Sequence, residues 1–360
     1  MKAIIPTGGR GTRMQPLTFS LNKHFIPIGG KPLIFYPVET VIAAGIKEIG
    51  VTYNPGYLEE AQSILGDGSR WGVKITYILQ EKPIGLANIV QVCEEFLAGE
   101  SFVFHLGDNI FVDGIKEAVD YFEEKKPNGL VTMLHHSENK RMGVPYFDDS
   151  GRLTKYVEKP ENPPHDFAVP GLYFGDSNFF KCFKGTEAIV PSARGEYEIP
   201  AAFQWMIDQG MRVDVVEYKG KWLDPGKFDD WMEANQFMLE REVTEDKIEC
   251  EVGSDTTIEN NAHIGKNCII ENTQIKGPVV IGDNVMIKDS FIGPFTAISS
   301  DSKVEGARIE NSILMNEVLI KNYPDQIDSS LIGPGSEIIN TEKQSKKVSF
   351  FIGAKSKIIV

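Results

Sequence analysis

The sequence predicts two architectures in series: an α/β domain built on a mostly parallel sheet, then a three-sided parallel β-helix. Three observations predict them. Strand-like and helix-like segments alternate up to Glu242. Beyond it, isoleucine or valine recurs at a short fixed period. Small and turn-forming residues lie between the recurrences, as in Ile264-Gly265-Lys266-Asn267 and Ile281-Gly282-Asp283-Asn284. The boundary is drawn at 242/243.

In the first part, strands are expected over 3–5, 49–53, 73–79, 102–106, 130–134, 169–174 and 213–218. Helices are expected over 32–44, 58–65, 86–97, 115–124 and 228–242. Such alternation gives a mainly parallel sheet covered on both faces, with ligands beyond the C-terminal ends of its strands. From about Gly143 the pattern is less regular and some antiparallel strands are expected. In the second part the recurring residues are Ile258, Ile264, Ile270, Ile275, Ile281, Ile287, Ile292, Ile298, Val304 and Ile309. The steps are six, six and five, three times over, so each coil takes 17 residues. Ile258, Ile275, Ile292 and Ile309 are then equivalent inward positions on one face. Ile327, Ile332 and Ile338 point to further, looser coils.

Composition excludes several classes. The 360 residues are 41% hydrophobic, enough for two domains with real cores. No apolar run approaches the ~20 residues of a membrane span, and Lys2 leads straight into Ala3-Ile4-Ile5 without a secretion signal. A cytoplasmic protein is expected. Cys93, Cys182, Cys250 and Cys268 form no CxxC pair, so free thiols are expected and structural zinc is not. The formal net charge of −14 argues against nucleic acid and anionic membranes as partners. An acidic chain that binds phosphates must concentrate cations locally, which directs attention to arginines and lysines in loops.

The first such loop, Gly8-Gly9-Arg10-Gly11-Thr12-Arg13, follows the first strand. Glycines let backbone N–H groups crowd an anion, and the arginines add charge. It lacks the Gly-Lys-Ser/Thr ending of a Walker loop and the spacing of a dinucleotide fingerprint. Lys23 lies ten residues past Arg13, in Asn22-Lys23-His24; alone it reads equally as a surface lysine. In Gln80-Glu81-Lys82-Pro83-Ile84-Gly85, the Gln80 amide suits a pyrimidine edge and Gly85 permits close approach, though turn chemistry alone explains Gly85. Asp108, in Leu106-Gly107-Asp108-Asn109, ends a strand where a divalent cation can bind; an Asp that starts a turn is the alternative. Asp224, in Trp222-Leu223-Asp224-Pro225, is its candidate partner, or a helix N-cap. Lys159 and Arg194 can hold a second phosphate and Glu158 can accept from sugar hydroxyls, though in isolation each reads as a surface charge.

Taken in order, these motifs resemble those of the sugar-1-phosphate nucleotidyltransferases, and among them the long-form glucose-1-phosphate thymidylyltransferases. The most specific pieces are the 8–13 loop with Pro16-Leu17-Thr18, Gly107-Asp108-Asn109, Glu158-Lys159-Pro160 and the 191–198 stretch. The resemblance implies a Rossmann-like, mostly parallel nucleotidyltransferase domain over 1–242 and a left-handed hexapeptide-repeat β-helix over 243–360. It implies transfer of a nucleotidyl group from dTTP to glucose 1-phosphate, with Mg²⁺. A uridylyl or other sugar nucleotidyltransferase, or a non-catalytic nucleotide-sugar-binding regulator, is the alternative. By the same likeness Gly8, Gly9, Gly11, Thr12 and Arg13 bind the nucleotide, with Lys23 on phosphate and Gln80 and Gly85 on the base. Asp108 and Asp224 bind the metal. Gly143, Glu158 and Gly171 line the sugar pocket, while Lys159 and Arg194 hold its phosphate. Arg13, Lys23 and Lys159 are the expected catalytic cations. The sequence departs from the family where Pro200-Ala201 replaces the usual Thr-Asp, and at Met142, Pro145 and Pro225. Coil ends with open edges make a homo-oligomer expected.

Overall fold

The computed structural model describes residues 1–9, 11–340, 351–354 and 356–359. They form two compact units. One comprises Met1–Gly9 and Ile34–Asp224, the other Arg10–Leu33 and Pro225–Val360.

The first unit is built on strands β1 (Lys2–Pro6), β2 (Glu48–Tyr53), β3 (Lys74–Leu79), β4 (Phe102–His105), β5 (Gly129–His135), β6 (Leu172–Gly175) and β7 (Val213–Glu217). All five residues of β1 are buried, as befits a central strand covered on both faces. It pairs in parallel with β2 and β4, and β2 with β3. Strand β6 is antiparallel to β4 and β5, while β7 runs parallel to β5. The sheet is therefore mixed and mostly parallel, as the alternation predicts.

The helices of this unit are α1 (Phe35–Ala43), α2 (Leu58–Leu65), α3 (Leu86–Val92), α4 (Glu94–Leu97), α5 (Lys116–Lys125) and α6 (Ile199–Asp208). The helix expected over 86–97 breaks at Cys93. The strand expected over 169–174 starts only at Leu172. Pro170 has no N–H to donate, and Gly171 N–H is drawn to a side chain instead. The less regular region contains the hairpin Gly143–Phe147 with Leu153–Glu158. Helix α6 is not among the helices expected from the sequence. Pro200 stands in the first turn, where its missing N–H breaks no intrahelical bond.

The second unit carries α7 (Phe228–Glu242) and the β-helix. Three parallel sheets of seven, five and six strands form its faces. Ile258 pairs with Ile275, Ile275 with Ile292 and Ile292 with Ile309, the equivalences that the 17-residue period predicts. Ile264–Ile281–Ile298 and Ile270–Ile287–Val304 stack likewise on the other faces. The later coils change length at the corners, yet Ile327, Ile332 and Ile338 still take inward places. Corners need left-handed backbone, which Asn adopts most readily after Gly. Asn267, Asn284 and Asp301 sit there with φ of 56°, 58° and 64°. Their side chains bond coil to coil, at 3.2 and 3.0 Å.

All four cysteines are free thiols. The bridge between Val252 and Ile270 sets Cys250 beside Cys268, a proximity that their separation in sequence hides. Burial, chiefly, raises the Cys268 thiol above its ordinary value. Among the described residues no helix is long and apolar enough to cross a membrane.

Candidate active site

In the first unit the predicted residues gather where the parallel strands end. Strand β1 runs into Thr7 and Gly8. Thr7 bonds twice to Thr52 O, through its N–H and its hydroxyl, both at 2.8 Å. Gly8 is obligatory for packing: a Cβ there would lie 2.7 Å from Asn54 Oδ1. Gly9 has φ of +136°, which also favours glycine.

Gln80 follows β3 and is buried. Its Nε2 donates to Asn88 Oδ1 at 3.1 Å, and Asn54 Nδ2 donates to its main-chain O at 3.1 Å. Asn88 donates in turn to Gln91 at 3.0 Å. The Gln80 carboxamide is thus held in one orientation. Gly85 has φ of +110°, and an added Cβ would lie 2.4 Å from Tyr197 O. Tyr197 bonds across to this loop at both ends, with Ile84 O at 2.7 Å and Ala87 N at 3.0 Å. Gly85 is required by the Tyr197 main chain, whatever it offers a base.

The acidic pair is built by a two-strand ladder. Trp222–Leu223 pairs antiparallel with Ile110–Phe111, Leu223 facing Ile110. Asp224 follows Leu223 and Asp108-Asn109 precedes Ile110, so both carboxylates flank the same end of this ladder. Asn109 ties the group together. Its Nδ2 donates to Asp108 Oδ1 at 3.1 Å, while its Oδ1 accepts from Trp222 Nε1 at 3.1 Å and Gly171 N at 3.2 Å. Two carboxylates with neither thiolate nor imidazole are a hard-oxygen donor set. Among the described residues no group of three or more His, Cys, Asp and Glu side chains is poised around one metal position.

His105, at the end of β4, is fully buried, and its Nδ1–H donates to Leu106 O at 2.8 Å. Burial lowers its pKa to about 4; the Leu106 bond and the Asp108 charge oppose this weakly. It is neutral at pH 7 and supports Leu106 and the loop beyond.

Gly143 and Gly171 are both steric necessities. A Cβ on Gly143 would meet the Tyr156 hydroxyl at 2.4 Å, and one on Gly171 would meet the Leu106 side chain at 2.3 Å. Gly143 pairs with Glu158 in the hairpin. Lys159 follows with φ of +48°, a left-handed backbone that is costly for a lysine. Its N–H bonds Met142 O at 2.9 Å and its Nζ lies 3.1 Å from Glu158 Oε1. Arg194 pairs with Glu198 at 2.7 Å, and Glu198 also accepts from Ser192 at 2.9 Å. The Glu198 carboxylate raises the arginine pKa, so the guanidinium stays charged.

In the second unit Arg13 and Lys23 share one short segment. Gly11 has φ of +53°, and Thr18 Oγ1 donates to its carbonyl at 2.7 Å. Thr12–Met14 then forms one 3-10 turn, with Met14 buried and Thr12 and Arg13 exposed. A Cβ on Gly11 would sit 3.4 Å from the Lys23 Cβ, so the segment folds Lys23 back against the glycine turn. His24 is buried, with Nδ1 2.8 Å from Asn22 Oδ1, and reads as structural. Arg10 lies outside the described residues.

Sequence reasoning missed Asn109, Trp222, Asn54, Asn88 and Glu198. Only Asn109 and Trp222 carried a signal, by standing beside Asp108 and near Asp224.

Residues 2–241 match the nucleotidyl transferase family. The chain is 34% identical over 359 residues to a glucose-1-phosphate thymidylyltransferase of Streptomyces antibioticus, covering 99% of both chains. It is 36% identical over 340 residues to the low-salt glycan biosynthesis nucleotidyltransferase Agl11 of Haloferax volcanii, covering 94% of each. A solved Bacillus anthracis structure described as a glucose-1-phosphate thymidylyltransferase superposes with a TM-score of 0.61 at 34% identity, over 66% of this chain and 95% of that one.

Proposed function

The chain belongs to the nucleotidyl transferase family, and from that premise we propose that it joins dTTP to glucose 1-phosphate, giving dTDP-glucose and pyrophosphate. The observation that carries this reading is the pairing of Trp222–Leu223 with Ile110–Phe111, which leaves Asp108 and Asp224 flanking one end of the ladder, with Asn109 bonded to Asp108. A sugar phosphate oxygen attacks the α-phosphorus of the triphosphate, and the bond to pyrophosphate breaks in line. The second pKa of a phosphate monoester is about 6, so the nucleophile is already an anion at neutral pH and no general base is needed. The task is to hold two polyanions together and to stabilise the leaving charge.

Each proposed role follows from the chemistry of its side chain. Arg13 and Lys23 neutralise the triphosphate and the departing pyrophosphate, and the 8–12 backbone crowds the nucleotide. Gln80, held by Asn54 and Asn88, reads the base beside Gly85. Glu158 accepts from sugar hydroxyls next to Gly143 and Gly171. Lys159 and Arg194 hold the sugar phosphate; Arg194 shares its charge with Glu198 to do so. Mg²⁺ held by Asp108 and Asp224 would add positive charge at the α-phosphate.

We assign the chemistry to residues 1–242, with the hexapeptide β-helix over 243–360 as a supporting part. A cytoplasmic homo-oligomer acting on small phosphates, without nucleic acid, fits the acidic charge and the free thiols. The test is pyrophosphate release with Mg²⁺, crossing dTTP, UTP, CTP, ATP and GTP with glucose 1-phosphate and mannose 1-phosphate. Release with dTTP and glucose 1-phosphate, abolished by EDTA, is expected. Preference for UTP moves the assignment to a uridylyltransferase. No release in any pair leaves a nucleotide-sugar-binding regulator.

A further inference from the structure

The segment Arg10–Leu33, which carries Arg13 and Lys23, belongs to the same compact unit as the β-helix. The contacts that hold it there are specific. Asn235, on α7, is fully buried and uses both ends of its carboxamide. Its Oδ1 accepts from Gly29 N at 2.9 Å, and its Nδ2 donates to Phe295 O at 3.0 Å. Gly29 is in the segment; Phe295 is a β-helix corner with φ of +62°. One turn earlier on α7, the buried Trp231 donates from Nε1 to Pro27 O at 2.9 Å. One residue later, Gln236 donates to Asn311 Oδ1, at the corresponding corner of the next coil, at 2.7 Å.

Direct contact accompanies these bridges. Gly30 has φ of +85°, and a Cβ there would lie 2.5 Å from Val280 Cγ1. The backbone of the segment therefore rests on the β-helix face that bears Val280. Inward residues alternate with outward ones along each strand, so Val280, Ala297, Ile313 and Leu331 form an outward apolar column on that face. The equivalent column on another face is Glu271, Lys288, Glu305 and Lys321, as expected of a solvated surface. Two of its pairs are ion pairs at 2.8 and 3.3 Å. From Val280 on, the one outward column of the Gly30 face is apolar throughout, whereas the other face sets these charges beside Ile269, Met286, Lys303 and Leu319.

We propose that Asn235 is a positioning residue, through which the β-helix holds the Arg13 and Lys23 segment in its triphosphate-binding conformation. The proposal deepens the function given above and rests on it for the roles of Arg13 and Lys23. It gives the β-helix a part in catalysis: a buried amide with one acceptor and one donor, spent on two different pieces of chain, fixes the distance between them. Anything that shifts the β-helix corner at Phe295 reaches the phosphate-binding cations through one side chain.

The test uses the full-length protein with Asn235→Ala and Asn235→Asp. The aspartate keeps the acceptor for Gly29 N–H and loses the donor to Phe295 O. Two readouts are taken. The first is amide hydrogen exchange without substrate. Asn235→Ala is expected to speed exchange in peptides from 11–33 at least tenfold, leaving peptides from β4 unchanged. The second is steady-state kinetics of pyrophosphate release. KM for the triphosphate is expected to rise tenfold or more while KM for the sugar phosphate moves less than twofold, with Asn235→Asp in between. Unchanged exchange in 11–33 in a folded Asn235→Ala protein overturns the proposal, as does a uniform loosening of the whole chain. Should that variant not fold, Gln236→Ala, which removes one bridge only, is expected to give the same pattern more weakly, and no change there overturns it. Wild-type protein that releases no pyrophosphate defeats the functional reading, while the exchange arm still judges the anchoring.

Discussion

In the β-helix, the buried hydroxyls of Ser290, Ser302 and Ser312 make the same bond in three places. Each accepts from a backbone N–H of the next coil, that of Ala307, Val318 or Ser330, at 3.2 Å. In the α/β unit, the buried amides of Gln80, Asn88 and Asn109 each make a different set of bonds, to partners that recur nowhere else. Both regions satisfy most of their buried polar groups, Thr52 Oγ1 and His105 Nε2 in the α/β unit and Thr296 Oγ1 in the β-helix being without a partner among the described residues. The difference lies in what the bonds specify. A repeated bond fixes the spacing of one coil on another, and its loss is local. A bond made once fixes one particular geometry, and in this unit those bonds surround the carboxylates and glycines of the candidate site. Stability is distributed in the first region and function is concentrated in the second, so substitutions should separate the two.

The largest effect is expected from Asp108→Asn. It removes one charge from the acidic pair and keeps the shape and the Asn109 bond. A well-placed charge of this kind is worth roughly 10²–10³ in rate, about 3–4 kcal/mol of barrier. Pyrophosphate release at saturating Mg²⁺ should fall by that factor, with the thermal midpoint close to wild type. Normal turnover would remove Asp108 from the metal assignment.

The mirror experiment is Ile292→Ala. Ile292 is fully buried and stacks between Ile275 and Ile309. Large-to-small changes in such a core cost about 2–5 kcal/mol, the cavity included. A denaturant midpoint should register a loss of about 3 kcal/mol, with little change in KM for the sugar phosphate at a temperature where the protein is folded. Equal damage to turnover would show that the β-helix is not separable from the chemistry at this depth.

The same contrast explains what was legible in the sequence. Each coil packs on the next in register, so the inward position returns after a fixed count and the Ile258, Ile275, Ile292 and Ile309 column can be read directly. The sheet order could be anticipated only as a class. Which strand lies beside β1 depends on crossovers that leave no mark on the strands themselves, and β6 entering between β4 and β5 is such a case. At the site, Asp108 and Asp224 were legible as carboxylates at strand ends. Asn109 was not legible as their bridge, because its partners Gly171 and Trp222 lie 62 and 113 residues away. Gly85 was read as room for a ligand, whereas the crowding atom belongs to Tyr197. Helix α6 was hidden because proline discourages a helix everywhere except its first turn. Cys250 and Cys268 meet at a step that the 17-residue period does not contain.

A pH experiment sharpens the comparison further, because the α/β unit buries an imidazole and the β-helix core, among the described residues, holds none. His105 has its pKa lowered to about 4 in the folded protein, against about 6.5 when exposed. Between these values the unfolded chain binds a proton that the folded one refuses. Stability is therefore full above about pH 6.5 and is lost as pH falls toward 4. At pH 4.5 the loss attributable to this residue is about 2–3 kcal/mol. Urea midpoints at pH 7 and pH 4.5 should show it in the wild type and show less of it in His105→Gln, which cannot take up the proton.

The smallest effect is expected where a repeated bond is cut. Ser302 is fully buried; its hydroxyl donates to Met315 O at 3.0 Å and accepts from Val318 N at 3.2 Å. Ser302→Ala leaves a buried carbonyl and a buried N–H each one partner short, in a place too tight for water to substitute readily. The cost of such groups is about 1–3 kcal/mol in general. Here the parallel strands on either side, Lys303–Glu305 and Leu319–Lys321, remain paired and hold the backbone, so about 1 kcal/mol is expected. The β-helix can absorb this because bonds of the same kind are made independently elsewhere in it, by Ser290 and Ser312. A loss above about 3 kcal/mol, or a rise in KM for the triphosphate, would mean that the hydroxyls act as one linked column and not as separate repeats. The distinction between a distributed and a concentrated polar interior would then fail in the region where it should be clearest.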